Sequence, residues 1–239
     1  MKPFRFKEFT VNQDKTAMKV GTDAVLLGAW ASLEAYPDTI LDVGAGTGVI
    51  ALMLAQRSNA MTIDAVEVEE NAYEQTVENF EQSPWGDRLF CYNASFQEFA
   101  AEMQEEEEEY DLIISNPPFY TDTFETEDEA RNKARFTSAL SFNDLLKGAV
   151  AILAKTGAFV TIIPAKEEVS FVALAKENGL FLNKVCHVKG TKDSDVKRSL
   201  LSFSFTETNC SKETLIIEIA RHQYTPEYIA LTEDFYLKM

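Results

Sequence analysis

Gly44, Gly46 and Gly48 stand between a short β-branched run and a helical pattern, and no other stretch constrains the fold as much. Thr39-Ile40-Leu41-Asp42-Val43 reads as a strand, and residues 47–56, with apolar Val49, Ile50, Met53 and Leu54, read as a helix. Glycines at such a junction let the backbone turn sharply and bring its N–H groups close to a ligand at the helix N-terminus. The spacing is Asp-x-Gly-x-Gly-x-Gly. A dinucleotide loop of the GxGxxG kind would need a glycine at Val49, and a phosphate-binding loop would need a lysine after the last glycine. Neither is there. A loop without pyrophosphate-cradling geometry suits a nucleoside that carries an amino-acid tail. Glu67 follows at the end of a second strand expected over 61–66, where its carboxylate can accept hydrogen bonds from both ribose hydroxyls. A glycine loop by itself can be an ordinary tight turn; the strand, the helix and Glu67 together speak against that.

From residue 39 onward, β-branched runs alternate with longer helical stretches, the signature of an α/β fold with a mostly parallel sheet. Further strands are expected over 89–92, 110–115 and 158–163. Helices are expected over 72–80, 96–103, 142–153 and 167–178, the last closed by Gly179. Beyond Gly179 the segments 180–188, 199–206 and 215–219 are strand-like without helices between them, so all should pair antiparallel. The expected topology is five parallel strands followed by a C-terminal antiparallel hairpin. Residues 1–30 read as an N-terminal extension whose Val25, Leu26, Leu27 and Trp30 form a docking helix, and residues 31–239 as a single globular unit. Residues 120–140 form a polar segment of a length uncommon in compact domains outside functional loops.

Composition narrows the classes. With 46% apolar residues the chain can bury a sizeable core. Cys91, Cys186 and Cys210 are widely spaced and odd in number, which excludes a disulfide framework or a CxxC motif. His187 and His222 have no companions at metal-ligand spacing, so no metal is expected. Lys2, Arg5, Lys7, Glu8, Asp14, Lys15 and Lys19 leave no apolar core for a signal peptide, and the apolar stretch at 24–33 is too short for a membrane span. A soluble, cytoplasmic monomer is expected. The net charge is −17, yet residues 64–129 hold 21 acids against the single base Arg88, and the remainder carries a net +3. The acidic balance argues against a general nucleic-acid binder, whereas its segregation leaves room for a local basic patch. Residues 105–109, five glutamates, read as a solvated helix end rather than a metal site.

The second motif is Asn116-Pro117-Pro118-Phe119, at the end of the strand over 110–115. Alone it could be a strand stop, since proline stiffens the turn and lacks a donor. After a glycine loop and Glu67, the sequence resembles the class I S-adenosylmethionine-dependent methyltransferases, and this tetrad resembles their amino-methylating branch. The resemblance implies a Rossmann-like fold, with Asp42, Gly44, Gly46, Gly48 and Glu67 holding S-adenosylmethionine. Asn93, with Ala94, stands where that family often has an acidic residue near the cofactor's adenine. Asn116, Pro117, Pro118 and Phe119 would be catalytic: the Asn116 side-chain oxygen and the Pro117 carbonyl accept the two N–H bonds of an exocyclic amino group and aim its lone pair at the methyl. Phe119 would stack on a base turned into the pocket, with core packing as the rival reading.

A closer resemblance lies in Phe9-Thr10-Val11-Asn12-Gln13-Asp14, in the run from Met18 through Gly21-Thr22-Asp23 to Trp30, and in Arg131-Asn132-Lys133-Ala134-Arg135. These are similar to the bacterial tRNA1(Val) adenine-37 N6-methyltransferase family, which implies a tRNA substrate modified at the adenine 3′ of the anticodon. Lys19, Thr22 and Asp23 would then lie near the pocket mouth, and Arg131 and Arg135 would contact phosphates. Other acceptors stay open: a ribosomal RNA base, or a protein glutamine, which the acidic balance favours. A non-catalytic RNA-binding protein is opposed by the intact glycine loop, Glu67 and Asn116, and a nicotinamide-linked oxidoreductase by Val49.

Overall fold

The computed structural model describes residues 2–117 and 140–239. Its first elements are β1 (Phe4–Arg5), β2 (Thr10–Val11), α1 (Thr22–Trp30), β3 (Thr39–Val43), α2 (Val49–Arg57) and β4 (Thr62–Glu67). Next come α3 (Glu70–Glu81), β5 (Leu89–Asn93), α4 (Phe96–Glu105), β6 (Tyr110–Ser115), α5 (Phe142–Ile152) and β7 (Leu153–Pro164). The chain closes with α6 (Glu168–Glu177), β8 (Phe181–Thr191), β9 (Val196–Ser204), β10 (Ser211–Ala220), β11 (Gln223–Tyr224) and α7 (Pro226–Thr232).

Nine of these strands form one sheet in the order β11-β10-β8-β9-β7-β6-β3-β4-β5. Strands β7, β6, β3, β4 and β5 are parallel neighbours, which is the Rossmann-like core expected from the alternation. Alternate residues of each strand supply opposite faces. In β3, Ile40 packs with α1, α2 and Phe80 of α3, while Leu41 and Val43 pack with α4, α5 and α6. Capping sets two helix starts on that second face. Ser95 and Glu98 form a reciprocal capping box at α4, and the Ser141 hydroxyl accepts from the Asp144 N–H at α5. Gly179, at φ +85°, ends α6, with the Leu180 N–H returning to the Ala175 carbonyl at 2.9 Å.

Strand β9 is antiparallel to both β7 and β8, the expected C-terminal hairpin. The expectation that all three late strands pair antiparallel fails at β10, which runs parallel to β8. The reason is occupancy. Both edges of β9 are taken by β7 and β8, so β10 must use the free edge of β8. The chain leaves β9 at Ser204, opposite Phe181 where β8 begins, and Ser211 enters opposite Lys184. A six-residue step therefore sets β10 running with β8. Helix α7 and the two-residue strands β1, β2 and β11 have no counterpart in the sequence reading; they are too short to carry a periodic pattern.

Helix α1 docks as expected, with every residue from Ala24 to Trp30 buried. The Trp30 indole N–H donates to Glu213 of β10 at 2.5 Å. Ahead of it, Phe6 stacks on Phe9 at 4.6 Å, and the Lys7 N–H donates to the Phe235 carbonyl at 2.9 Å, tying residues 4–11 to the chain's end. No helix among the described residues is long and apolar enough to cross a membrane.

Gly28 is the contact point of α1 with α2. A β-carbon there would lie 2.9 Å from the Met53 Sδ and 3.1 Å from the Met53 Cβ. Glycine within a helix costs about 1 kcal/mol against alanine, so close packing is what requires it here. Gly28→Val is expected to destabilise the fold by about 1–3 kcal/mol through overpacking. Urea unfolding monitored by circular dichroism checks this; an unchanged midpoint would mean that α1 is not seated on α2 as described.

Candidate active site

Strands β3, β4 and β5 follow one another in one direction across the sheet, and β6 then returns to the other side of β3. The order therefore reverses between β3 and β6, and a crevice opens at their carboxyl ends. The glycine loop leaves β3 on one side of it; Asn116 and Pro117 leave β6 on the other.

Gly44, Gly46 and Gly48 all have left-handed backbones, with φ of +75°, +59° and +74°. A β-carbon at Gly44 or Gly46 would meet nothing within 4 Å, so these two residues edge open space. At Gly48 it would meet the Phe80 ring at 2.6 Å. Two glycines thus serve backbone shape beside an open cradle, and the third serves shape and packing. The Gly44 and Ala45 N–H groups donate to the Val66 carbonyl at 2.9 and 3.2 Å, and the Gly46 N–H donates to Glu67 Oε2 at 2.8 Å. Glu67 Oε1 accepts from the Glu69 N–H at 2.9 Å. Each carboxylate oxygen has more than one acceptor site, so Glu67 can take ribose hydroxyls as well.

Asp42 lies fully buried beneath the loop. Its Oδ2 accepts from the Ala51 N–H at 3.2 Å, capping α2, whose N-cap Gly48 has no side chain to do so. Its Oδ1 has no partner. Burial, opposed by the Ala51 bond and reinforced by the charge of Glu67, pushes the Asp42 carboxyl up to about 7. An unpartnered buried carboxylate oxygen fits a ligand that brings a cationic amino group, and Glu67 fits its ribose. S-adenosylmethionine carries both, and the open cradle at Gly44 and Gly46 suits it on the chain's own terms.

Asn93 faces Glu67 across the β4–β5 ladder, and its Nδ2 donates to the Glu67 carbonyl at 2.9 Å. This explains a neutral residue where an acid is common: a carboxylate could not donate there and would repel Glu67. Ala94 follows, partly buried. On the other side of the crevice, Ser115 pairs with Val43, and its hydroxyl donates to the Val43 carbonyl at 2.9 Å. Asn116, partly buried, and Pro117, buried, therefore emerge beside the start of the glycine loop. Pro118, Phe119, Arg131 and Arg135 lie outside the described residues, as does most of the 120–140 segment.

The N-terminal candidates are engaged with the protein itself. The Lys19 ammonium donates to the Gln13 and Thr16 carbonyls at 2.6 and 2.5 Å. Thr22 and Asp23 open α1, and Asp23 Oδ2 accepts from the Arg198 guanidinium at 2.7 Å. Arg198 pairs with Pro164 at the end of β7, so Asp23 reaches the same sheet edge as Asn116, whereas Lys19 closes a turn in the arm. Sequence reading missed Thr76 and Asn79 of α3. The Thr76 hydroxyl donates to the Gly46 carbonyl at 3.0 Å, and Asn79 Nδ2 to the Thr47 carbonyl at 2.9 Å. Their signal was available: polar side chains on the face that an amphipathic helix turns inward. No group of three or more potential ligands is arranged for a metal among the described residues.

Comparison with known proteins agrees with this geometry. The methyltransferase small domain family model matches residues 20–181. A tRNA1(Val) (adenine(37)-N6)-methyltransferase of Christiangramia forsetii is 57% identical, covering 99% of this chain and 98% of its own. One from Pseudoalteromonas translucida is 41% identical over the full length of both. The crystal structure of a predicted O-methyltransferase from Agrobacterium tumefaciens shares the fold, with a TM-score of 0.67 at 21% identity, covering 89% of this chain and 96% of that one.

The raised Asp42 carboxyl has a consequence for stability. Its pKa in the fold exceeds the value of 3.8 that applies once the chain unfolds, so its contribution is complete below about pH 4 and is lost as pH rises towards 7. Asp42→Asn should flatten unfolding free energy against pH between those limits. Parallel slopes for both proteins across that window would show that Asp42 does not titrate this way.

Proposed function

The chain belongs to the tRNA1(Val) (adenine(37)-N6)-methyltransferase family, built on a methyltransferase small domain, and from that premise we propose how its crevice between β3 and β6 performs the transfer. The reaction moves a methyl group from S-adenosylmethionine to N6 of an adenine in tRNA. The observation that carries the reading is the Val43–Ser115 register, which sets the donor side at Gly44 against the acceptor side at Asn116.

S-adenosylmethionine, when bound, supplies a methyl on positively charged sulfur. Asp42, Gly44, Gly46, Gly48 and Glu67 would hold it, with Asn93 and Ala94 on the side of the site proposed for its adenine. The acceptor nitrogen is a poor nucleophile because its lone pair is conjugated with the purine ring. Asn116 Oδ1 and the Pro117 carbonyl accept its two N–H bonds, which draws the nitrogen towards tetrahedral geometry and frees the lone pair. The same oxygens stabilise the positive charge that grows on nitrogen in the transition state, where such contacts count most. The methylated nitrogen is acidic enough to lose its proton without a strong base. Pro118 and Phe119 complete the proposed catalytic motif, with Phe119 as the residue that would stack on an adenine presented out of the anticodon loop.

Residues 1–30 are the proposed substrate-side extension, with Lys19, Thr22 and Asp23 at its inner end, on the methyltransferase domain at 31–239. Arg131 and Arg135 bind phosphates. A tRNA substrate sets this work in the cytoplasm, and the enzyme acts as a monomer without a metal.

Asn116→Ala is expected to lower the rate of N6-methyladenosine formation at least about 100-fold, as loss of a charge-stabilising contact does elsewhere. Binding of S-adenosylhomocysteine should stay within about twofold, since Asn116 touches the acceptor only. Nucleoside mass spectrometry and calorimetry read the two; retained activity would remove Asn116 from the chemistry. Reversing charge at both Arg131 and Arg135 should weaken tRNA binding and reduce its dependence on salt. An unchanged salt slope would place the phosphate contacts elsewhere.

A further inference from the structure

The N-terminal motif Asn12-Gln13-Asp14-Lys15 has no part in the chemistry above, yet it is fastened to the helix that backs the glycine loop. Gln75 and Asn79 lie one turn apart on α3, and their side chains are essentially excluded from solvent. The Lys15 N–H donates to Gln75 Oε1 at 3.0 Å. The Asn12 N–H donates to Asn79 Oδ1 at 2.8 Å, and Asn79 Nδ2 donates back to the Asn12 carbonyl at 2.9 Å. This is the two-bond pattern that one strand offers another, made by a side chain. The same Nδ2 donates its other hydrogen to the Thr47 carbonyl at 2.9 Å. Both amide hydrogens of Asn79 are therefore committed, one to the arm and one to the glycine loop. Thr76, on the adjacent flank of α3, holds the Gly46 carbonyl.

We infer that Asn79 is a positioning residue that sets the glycine loop and the N-terminal arm as one unit, so that cofactor binding and the state of the arm are coupled. The physical case is satisfaction of buried groups. The Asn79 side chain and the Thr47 carbonyl it holds are buried, the Asn12 main-chain pair is partly so, and a buried polar group without its partner is costly. Either group can leave its place only by stranding Asn79, whose remaining partners hold it still. A cradle that keeps its shape without ligand spends less binding energy on ordering. The arm takes part through its main chain: the Asn12 side chain instead donates to exposed Gln82 at 3.1 Å. Asparagine is required at position 79, because an aspartate would present only acceptors to two carbonyls.

This inference rests on the reading of the glycine loop as the cofactor site. The experiment titrates S-adenosylhomocysteine by calorimetry into the wild type, Asn79→Leu and Asn12→Ala, well below each melting temperature. Asn79→Leu keeps the volume and removes the amide; its dissociation constant is expected to rise at least about tenfold, from the stranding of buried groups. Asn12→Ala keeps its main-chain groups and should stay within about twofold of wild type. A lower melting temperature with unchanged affinity in Asn79→Leu would overturn the inference, since a merely structural side chain behaves that way. A wild type that binds no S-adenosylhomocysteine would instead overturn the reading of the glycine loop. Hydrogen exchange on the wild type decides even where Asn79→Leu does not fold. The ligand should protect the Asn12 and Lys15 amides together with those of residues 44–48, and protection confined to 44–48 would overturn the coupling.

Discussion

Strand β3 is hydrogen-bonded to β4 along one edge and to β6 along the other, both parallel, and this shared central place determines where the chemistry can occur. Parallel strands bring their carboxyl ends to one side of a sheet. Reversal of strand order at β3 keeps the two crossovers from covering the same ground, so the loops after β3 and β6 diverge and leave a crevice. The glycine loop, Glu67, Asn93 and Asn116 come from four strands and gather at that edge because the ladder registers put them there. A slip of one residue in the β3–β6 register would turn the Ser115 hydroxyl away from the Val43 carbonyl and move Asn116 off the loop.

The loop itself is held by polar contacts from outside its own segment. The three left-handed glycines, at alternate positions of the loop, have more conformational freedom than most residues, and their ordering is entropically expensive. Val66 bonds two of its backbone groups, and Glu67, Thr76 and Asn79 bond one each. Asp42 adds a cap to the following helix from below. The fully buried Asp42 keeps one oxygen unpartnered, a cost that a cationic ligand would relieve.

Much of this was legible in the sequence, for identifiable reasons. Strands β3 and β6 are short, mostly apolar and β-branched runs with sharp stops, glycine after one and Asn-Pro after the other, and the reading places both at their observed bounds. The glycine spacing by itself separates this loop from a dinucleotide or phosphate loop. The parallel pairing of β10 with β8 was not legible, because direction depends on which edge is free once β7, β8 and β9 have assembled. Long-range side-chain bonds were equally out of reach. Lys19 read as a surface cation near the pocket, whereas its ammonium closes a turn on two carbonyls. Gln75 and Asn79 are polar side chains on the inward face of α3, but period alone cannot show that an arm 60 or more residues away is bonded to them.

The crevice between β3 and β6 is the proposed place where a methyl group passes to the amino nitrogen of one tRNA adenine. The most direct test is methylation of two tRNA(Val) transcripts with labelled S-adenosylmethionine, one native and one with guanine in place of adenine 37, followed by nucleoside analysis. One N6-methyladenosine per native transcript and no label in the substituted one is the expected result. Label appearing equally in both, or on another atom, would contradict it.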